Sequence, residues 1–399
     1  MPRRLLLALC AGILIVAGGA DWRQFRGPDS SGVAAEEPAG MFDPARAVAW
    51  KIDLPGRGLS GPIVVGNRVF VTASSGDRQD RLHVLAFAAD TGKKVWQRTV
   101  WATGPTSSHP KTCMAAPTPA SDGRHIVALF GSNDLLCLNL DGDLLWMRSL
   151  YAENPGATDG RGLASSPLIV GGTVVAHVEN QNTSFAAGID SATGKTRWRI
   201  ACPREMDWTS PLTVPGKAGA LVLLQGMTRL SACDPLTGRE VWRLERGTHP
   251  IASCVRDANI LYVPTEDKLA AFALQPDDAP PRLLWEQAKL SPAMASPVAF
   301  NGRVYALHGA ILASADARSG AVLGQLRLKG AFTSSPVISG GRLYCFNEQG
   351  VAHVIKLDGK EPAIETTANL QEAILCTPAI ANGALYVRSD KHLWKIGKS

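Results

Sequence analysis

The sequence predicts an all-β protein: an eight-bladed β-propeller of four-stranded antiparallel blades, closed by an N-terminal strand that completes the last blade. Three observations carry this. A turn followed by a Trp-bearing strand recurs about every 40 residues, which marks a repeat architecture. A second marker, a small-small-Pro triplet, fixes the unit starts. The two ends of the chain hold complementary fragments of one unit.

The turn motif reads Asp234-Pro-Leu-Thr-Gly-Arg-Glu-Val-Trp242. Copies run from Asp90 to Trp96, Asp141 to Trp146 and Asp190 to Trp198, with worn copies at Asp316 to Gly320 and Asp358 to Lys360. Asp at the first position bonds its own backbone two residues on, and Thr does so more weakly. Gly supplies the positive φ that closes a four- or five-residue hairpin. The strand that follows carries a Trp, which buries much area and keeps one N–H donor. Repeat units bury their faces only against one another. Trp50, Trp96, Trp146, Trp198, Trp242 and Trp285 are therefore expected to be pegs between neighbouring blades.

The triplets are Ser60-Gly-Pro62, Ala115-Ala-Pro117, Ser165-Ser-Pro167, Thr209-Ser-Pro211, Ala295-Ser-Pro297, Ser334-Ser-Pro336 and Cys376-Thr-Pro378. One unit departs, with Ala252-Ser-Cys254. Successive starts lie 55, 50, 44, 43, 43, 39 and 42 residues apart. Four strands of about 5–6 residues with turns of about 4–6 need this length. Pro is tolerated at a strand start, where its missing N–H need not pair. Small residues beside it suit a crowded centre. Short hairpins follow, as at Asn301-Gly302, Gly340-Gly341 and Asn382-Gly383. The unit from Ala252 to Trp285 has lost its Pro and its Thr-Gly turn but keeps Ile260-Leu-Tyr-Val263 and a closing Trp, so it counts as a blade. Val48 to Leu54 has the form of a Trp-bearing strand with no unit before it. Pro378 to Ile396 is a unit without that strand. Joining them closes the ring and removes the open edges.

Residues 1–20 read as a secretory signal: basic Arg3 and Arg4, apolar Leu5 to Val16, then small residues to Ala20. The apolar run is short for a membrane span, so no span is expected after cleavage. Bulky Leu9 before Cys10 argues against lipid anchoring there. Residues 21–47 read as an extended lead-in, and 48–399 as the propeller. Net charge is +6, too scattered for nucleic acid. The cysteines beyond Cys10 are odd in number, form no C-x-x-C pair and look like small core residues. No metal-ligand spacing, nucleophile elbow, Walker loop or HExxH helix is present.

The triplet, the apolar hairpin and the Asp-x-x-Thr-Gly-Lys-x-x-Trp turn resemble the PQQ-like propeller repeat from about Trp50 to Ile396. The size and the lead-in Trp22-Arg-Gln-Phe-Arg-Gly-Pro28 resemble secreted propellers of the BamB type. That resemblance implies a non-enzymatic scaffold, periplasmic or secreted, bound to envelope proteins such as the outer-membrane protein assembly machinery. The repeat is also that of quinoprotein dehydrogenases, so the alternative is a PQQ- and calcium-dependent oxidoreductase or a small-ligand sensor. Those enzymes carry adjacent cysteines, which this chain lacks, and no catalytic residue carries over. No cofactor and no metal are expected on the first reading.

A ligand or partner would meet the mouth of the channel, at loops entering the innermost strands. The two longest, Trp101 to Ala116 and Tyr151 to Ala164, are long enough to carry function. With the loops before blades 4 and 5 they bring His109, Lys111, Arg161, Asp207, Trp208 and His249 toward one rim. Trp208 has a second reading as another wedge between blades. Glu179 to Asn182 reads as a plain turn.

Overall fold

The computed structural model describes residues 21–35, 47–359 and 361–397. The signal segment, Cys10 and residues 36–46 of the lead-in lie outside the described residues. Eight four-stranded antiparallel sheets follow one another around a ring. Blade 1 comprises Ile63–Val65, Arg68–Ser75, Arg81–Ala88 and Lys94–Trp101, from the channel outward. Blade 5, the worn unit, is complete, from Val255–Asp257 to Arg282–Gln287. Blade 8 takes Ala379–Ala381, Ala384–Arg388 and His392–Gly397 from the C-terminus. Its outermost strand is Val48–Asp53 from the N-terminus, with Ile52 opposite Leu393. Among the described residues no helix is long and apolar enough to cross a membrane.

Burial explains the sequence pattern. Second strands such as Thr173–Val178 are buried at every position, because both faces meet a neighbouring blade. Outer strands are mostly exposed. In Lys94–Trp101 the one buried position is Trp96. In blades 1 to 7 the third and fourth strands slip by a bulge just before the Trp position, as between Ala86↔Trp96 and Phe87↔Lys94. The extra residue twists the edge and turns Trp96 toward the next blade.

Five of these indoles then lie on the turn glycine of the following blade. An added Cβ at Gly92, Gly142, Gly194, Gly238 or Gly320 would stand 2.6–2.8 Å from the ring of Trp50, Trp96, Trp146, Trp198 or Trp285 respectively. All five glycines have positive φ. The Trp96, Trp198 and Trp146 N–H groups donate to Leu140, Pro235 and Ser191 carbonyls at 2.9 Å. Trp242 is buried against Leu274 of blade 5, whose turn holds no such glycine.

The small residues at the centre do more than save space. Except in blade 1, where the middle residue is Gly61, the middle hydroxyl of the triplet accepts from the backbone N–H of the blade before it: Ser166 to Ser210, Ser210 to Ser253, Ser253 to Ser296 and Ser296 to Ser335, each at 3.0 Å. The ring runs on to Thr377. It corrects the start of blade 2. Thr118, not Ala116, occupies the ladder position, accepting from Gly61 and donating its N–H to Ser166. The triplet is therefore Pro117-Thr118-Pro119, and the inner strand begins at Ala120. The hydroxyl defines the site in blades 2 to 8, and smallness in blade 1, where a Cβ at Gly61 would stand 2.7 Å from Thr377 O.

The lead-in is not simply extended. Trp22 pairs with Val64 of blade 1, and Val33 pairs with Ile338 of blade 7. A 3-10 turn, Pro28–Ser30, lies between them. Trp22 is buried and Arg26 is 1% exposed. The segment thus crosses the back mouth of the channel, on the side of the Asn-Gly hairpins. The cysteines at 113, 137, 202, 233, 254, 345 and 376 are all free, and only Cys202 is not buried.

Candidate functional site

The front mouth, opposite the lead-in, is where the chain enters each innermost strand. The long loop after Trp101 folds back on the loop after Tyr151. The His109 N–H donates to Arg161 O at 2.9 Å, and Thr112 Oγ1 donates to both carbonyls, of His109 and Arg161. Trp208 enters from the loop before blade 4. Its Nε1 donates to Gly162 O at 3.1 Å, and its own backbone N–H donates to Pro250 O at 2.8 Å. The ring is half-buried, with the His109 imidazole tilted against it at 5.9 Å between centroids. One Trp therefore ties four loops together, and it is both a rim residue and a support.

The other candidates divide. His109 and Lys111 are exposed. Lys111 reaches Glu348 of blade 7 at 3.1 Å, and Arg57 donates to Pro110 O at 2.8 Å. Arg161 pairs with Asp159 at 3.2 Å and with Gln181 at 3.1 Å. His249 is half-buried; its Nδ1 accepts from the Ile251 and Ala252 N–H groups, and burial lowers its pKa. Asp207 does not stand on the rim. It is 2% exposed, with Oδ1 accepting from Thr209 N at 2.6 Å and Oδ2 unpartnered. Burial first, then the Glu179 carboxylate, push its carboxyl well above the usual range. The local Asp207-x-Thr209 bond makes it a turn-former facing inward.

Beneath the rim lies a polar layer that chain spacing did not disclose. In the Glu179 to Asn182 turn, Asn180 makes the turn bonds to Asn182 and Thr183. Glu179 instead turns inward to His177, with Oε1 2.9 Å from Nε2. Burial acts to lower the His177 pKa, but Glu179 and a hydrogen bond with Cys202 raise it well above the usual value. A signal existed: His177 and Glu179 alternate at the end of an otherwise apolar strand.

The architecture defines an eight-bladed β-propeller of the PQQ-like type, with a loop-built front rim. The sequence matches the family of the outer membrane protein assembly factor BamB over residues 44–210 and 307–398. The chain belongs to that family. Among solved structures it is similar to BamB from Moraxella catarrhalis, with a TM-score of 0.65 and 20% identity over 88% of this chain and 97% of that one. It is also similar to a europium-containing methanol dehydrogenase, with a TM-score of 0.76 and 11% identity over 95% and 98% of the two chains. A quinohemoprotein alcohol dehydrogenase from Comamonas testosteroni gives a TM-score of 0.72 and 13% identity over 95% and 81%. At these identities the structures share the fold alone. No curated protein sequence matches the chain.

Proposed function

We propose that the protein is a non-enzymatic binding scaffold of the cell envelope, and that the front rim around His109, Lys111 and Trp208 receives a partner protein. The observation that carries this is how the rim is built. Its own side chains tie it together, from Lys111 on the blade 1–2 loop to Glu348 on blade 7. Rigid loops with exposed charge suit recognition of another protein surface. Membership of the BamB family supports a role beside outer-membrane protein assembly.

The alternative is a quinone-dependent oxidoreductase, which needs a flat ring with room above it. Trp208 is the ring on offer, but His109 lies against it. Its N–H is engaged by Gly162, and no adjacent cysteines exist in the chain. These residues do not fit a tricyclic quinone with its calcium.

The test has two arms. The protein is titrated with PQQ, with and without Ca²⁺, while Trp fluorescence and dye-linked alcohol oxidation are followed. No saturable binding and no turnover is the expected result, and calcium-dependent binding with turnover overturns the proposal. In the second arm, a photo-crosslinker at His109 is expected to capture an assembly-machinery component in intact cells. Lys111→Glu is expected to weaken that capture. Crosslinks that Lys111→Glu leaves unchanged count against the rim as the docking face.

A further inference from the structure

At the seam between blades 3 and 4, three side chains of different chemistry converge. His177 lies in the strand Thr173–Val178 and Glu179 follows directly after it, two residues on and so toward the same side. His177 is opposite Ala186, and Ala186 is opposite Ile200. One step further along the sheet, the Cys202 N–H donates to Ser184 O at 3.1 Å. That places Cys202 level with Glu179. The imidazole, carboxylate and thiol ligand atoms all lie within 4.8 Å of one another. The His177 and Glu179 side chains are each 2% exposed, while Cys202 is half-buried.

Two further observations point into this place. A cavity of about 20 Å³ is bounded by the three residues together with Gly226 and Ser231, which is room for one water. Glu179 Oε2 and Ser231 Oγ, both buried, have no hydrogen-bond partner. Gly226 keeps the space open, since a Cβ there would lie 3.2 Å from Glu179 Oε1. An ion pair between His177 and Glu179 accounts for one carboxylate oxygen. It leaves the second oxygen dry, in a setting where an unmade bond is costly.

We propose that His177, Glu179 and Cys202 form a site for one divalent cation of the zinc class, which fastens blade 3 to the loop entering blade 4. Imidazole, carboxylate and thiolate are ligands that zinc takes at about 2.0–2.3 Å. A thiolate disfavours calcium and magnesium, which take oxygen ligands. Zinc binds neutral imidazole and thiolate, so occupancy is expected to release protons and to weaken as pH falls. The cavity has room for a water as fourth ligand. The fastened loop begins at Cys202 and carries Asp207 and Trp208. The site stands independently of what the rim binds.

The test uses the full chain, freed of metal with a chelator. Zn²⁺ added in competition with a chromophoric chelator is expected to bind at one equivalent. Co²⁺ is expected to give a near-ultraviolet thiolate-to-metal band, which Cys202→Ser removes while weakening binding about 100-fold. Zinc is also expected to shield Cys202 from alkylation, mapped by mass spectrometry. This readout needs no variant, and Cys202 is the accessible thiol among the described residues. Undiminished binding in a folded Cys202→Ser variant, a cobalt spectrum without the thiolate band, or unchanged alkylation of Cys202 under saturating zinc overturns the proposal.

Discussion

Gly238 shows how one residue serves two purposes. Its φ of +71° closes the turn, and its bare Cα receives the Trp198 ring, which an added Cβ would meet at 2.6 Å. Gly238→Ala is expected to cost about 2–4 kcal/mol in urea unfolding, from left-handed strain and overpacking together. A loss within ~0.5 kcal/mol, the range of ordinary surface changes, would show that the indole shifts aside freely. Trp242→Ala is expected to cost about 3–5 kcal/mol through the cavity it leaves, although no turn glycine faces it. The φ requirement of the Thr-Gly pair was legible in the sequence. The docking of Trp on that glycine was not, because the partners sit in different repeats, some 40 residues apart, as Trp198 and Gly238 do.

The Asp-bearing turns carry carboxylates that respond to acid. Asp190 is held down at about 2, first by its hydrogen bond from Arg197 and then by Thr193. The equivalent Asp90, Asp234 and Asp316 are also lowered, by turn hydrogen bonds from Thr91, Thr237 and Ser319. An unfolded Asp titrates near ~3.9. A carboxylate depressed in the folded state stabilises above that value, and the contribution is lost as pH falls from about 4 toward 2. Asp90 is exposed and the other three are half-buried at the surface, so solvent screens them and each effect is small. The urea midpoint of the wild type is expected to fall across this window, and the fall should be shallower in Asp190→Asn. An identical slope would remove the turn from the acid response. The propeller strands and their count were legible because short apolar, β-branched runs and the turn chemistry between them are local. The blade 2 start was not, since Ala115-Ala-Pro117 and Pro117-Thr118-Pro119 look alike until the neighbouring blades supply the hydroxyl ladder.

At the scale of the whole molecule, two N-terminal segments close the ring. Val48–Asp53 completes blade 8, and the lead-in spans the back mouth. Arg26 inserts a buried guanidinium that bonds the carbonyls of Cys254 and Pro297, in blades 5 and 6. Burial lowers its pKa to about 9. Arg26→Ala is expected to destabilise by about 1–3 kcal/mol, because it strands those carbonyls away from water. An unchanged unfolding midpoint would mean that water replaces it. Removing residues 48–53 leaves the His392–Gly397 edge unpaired. Concentration-dependent association by light scattering is the expected result, and a monomer of unchanged stability would show that blade 8 stands on three strands.

The candidate site divides along the same line. The long loops before blades 2 and 3 were legible as a rim, because loop length is written in the chain. That Asp207 turns inward while Trp208 and His109 meet could not be read from it. Nor could the meeting of Cys202 with His177 and Glu179, which neighbouring strands bring together across a sheet. By itself, the sequence determined the repeat, the number of blades and the closing strand, since each depends on local turn chemistry and alternation. Only the tertiary structure decided which polar residues are buried together, because burial depends on the blade next door, and a linear pattern does not specify how two blades face each other.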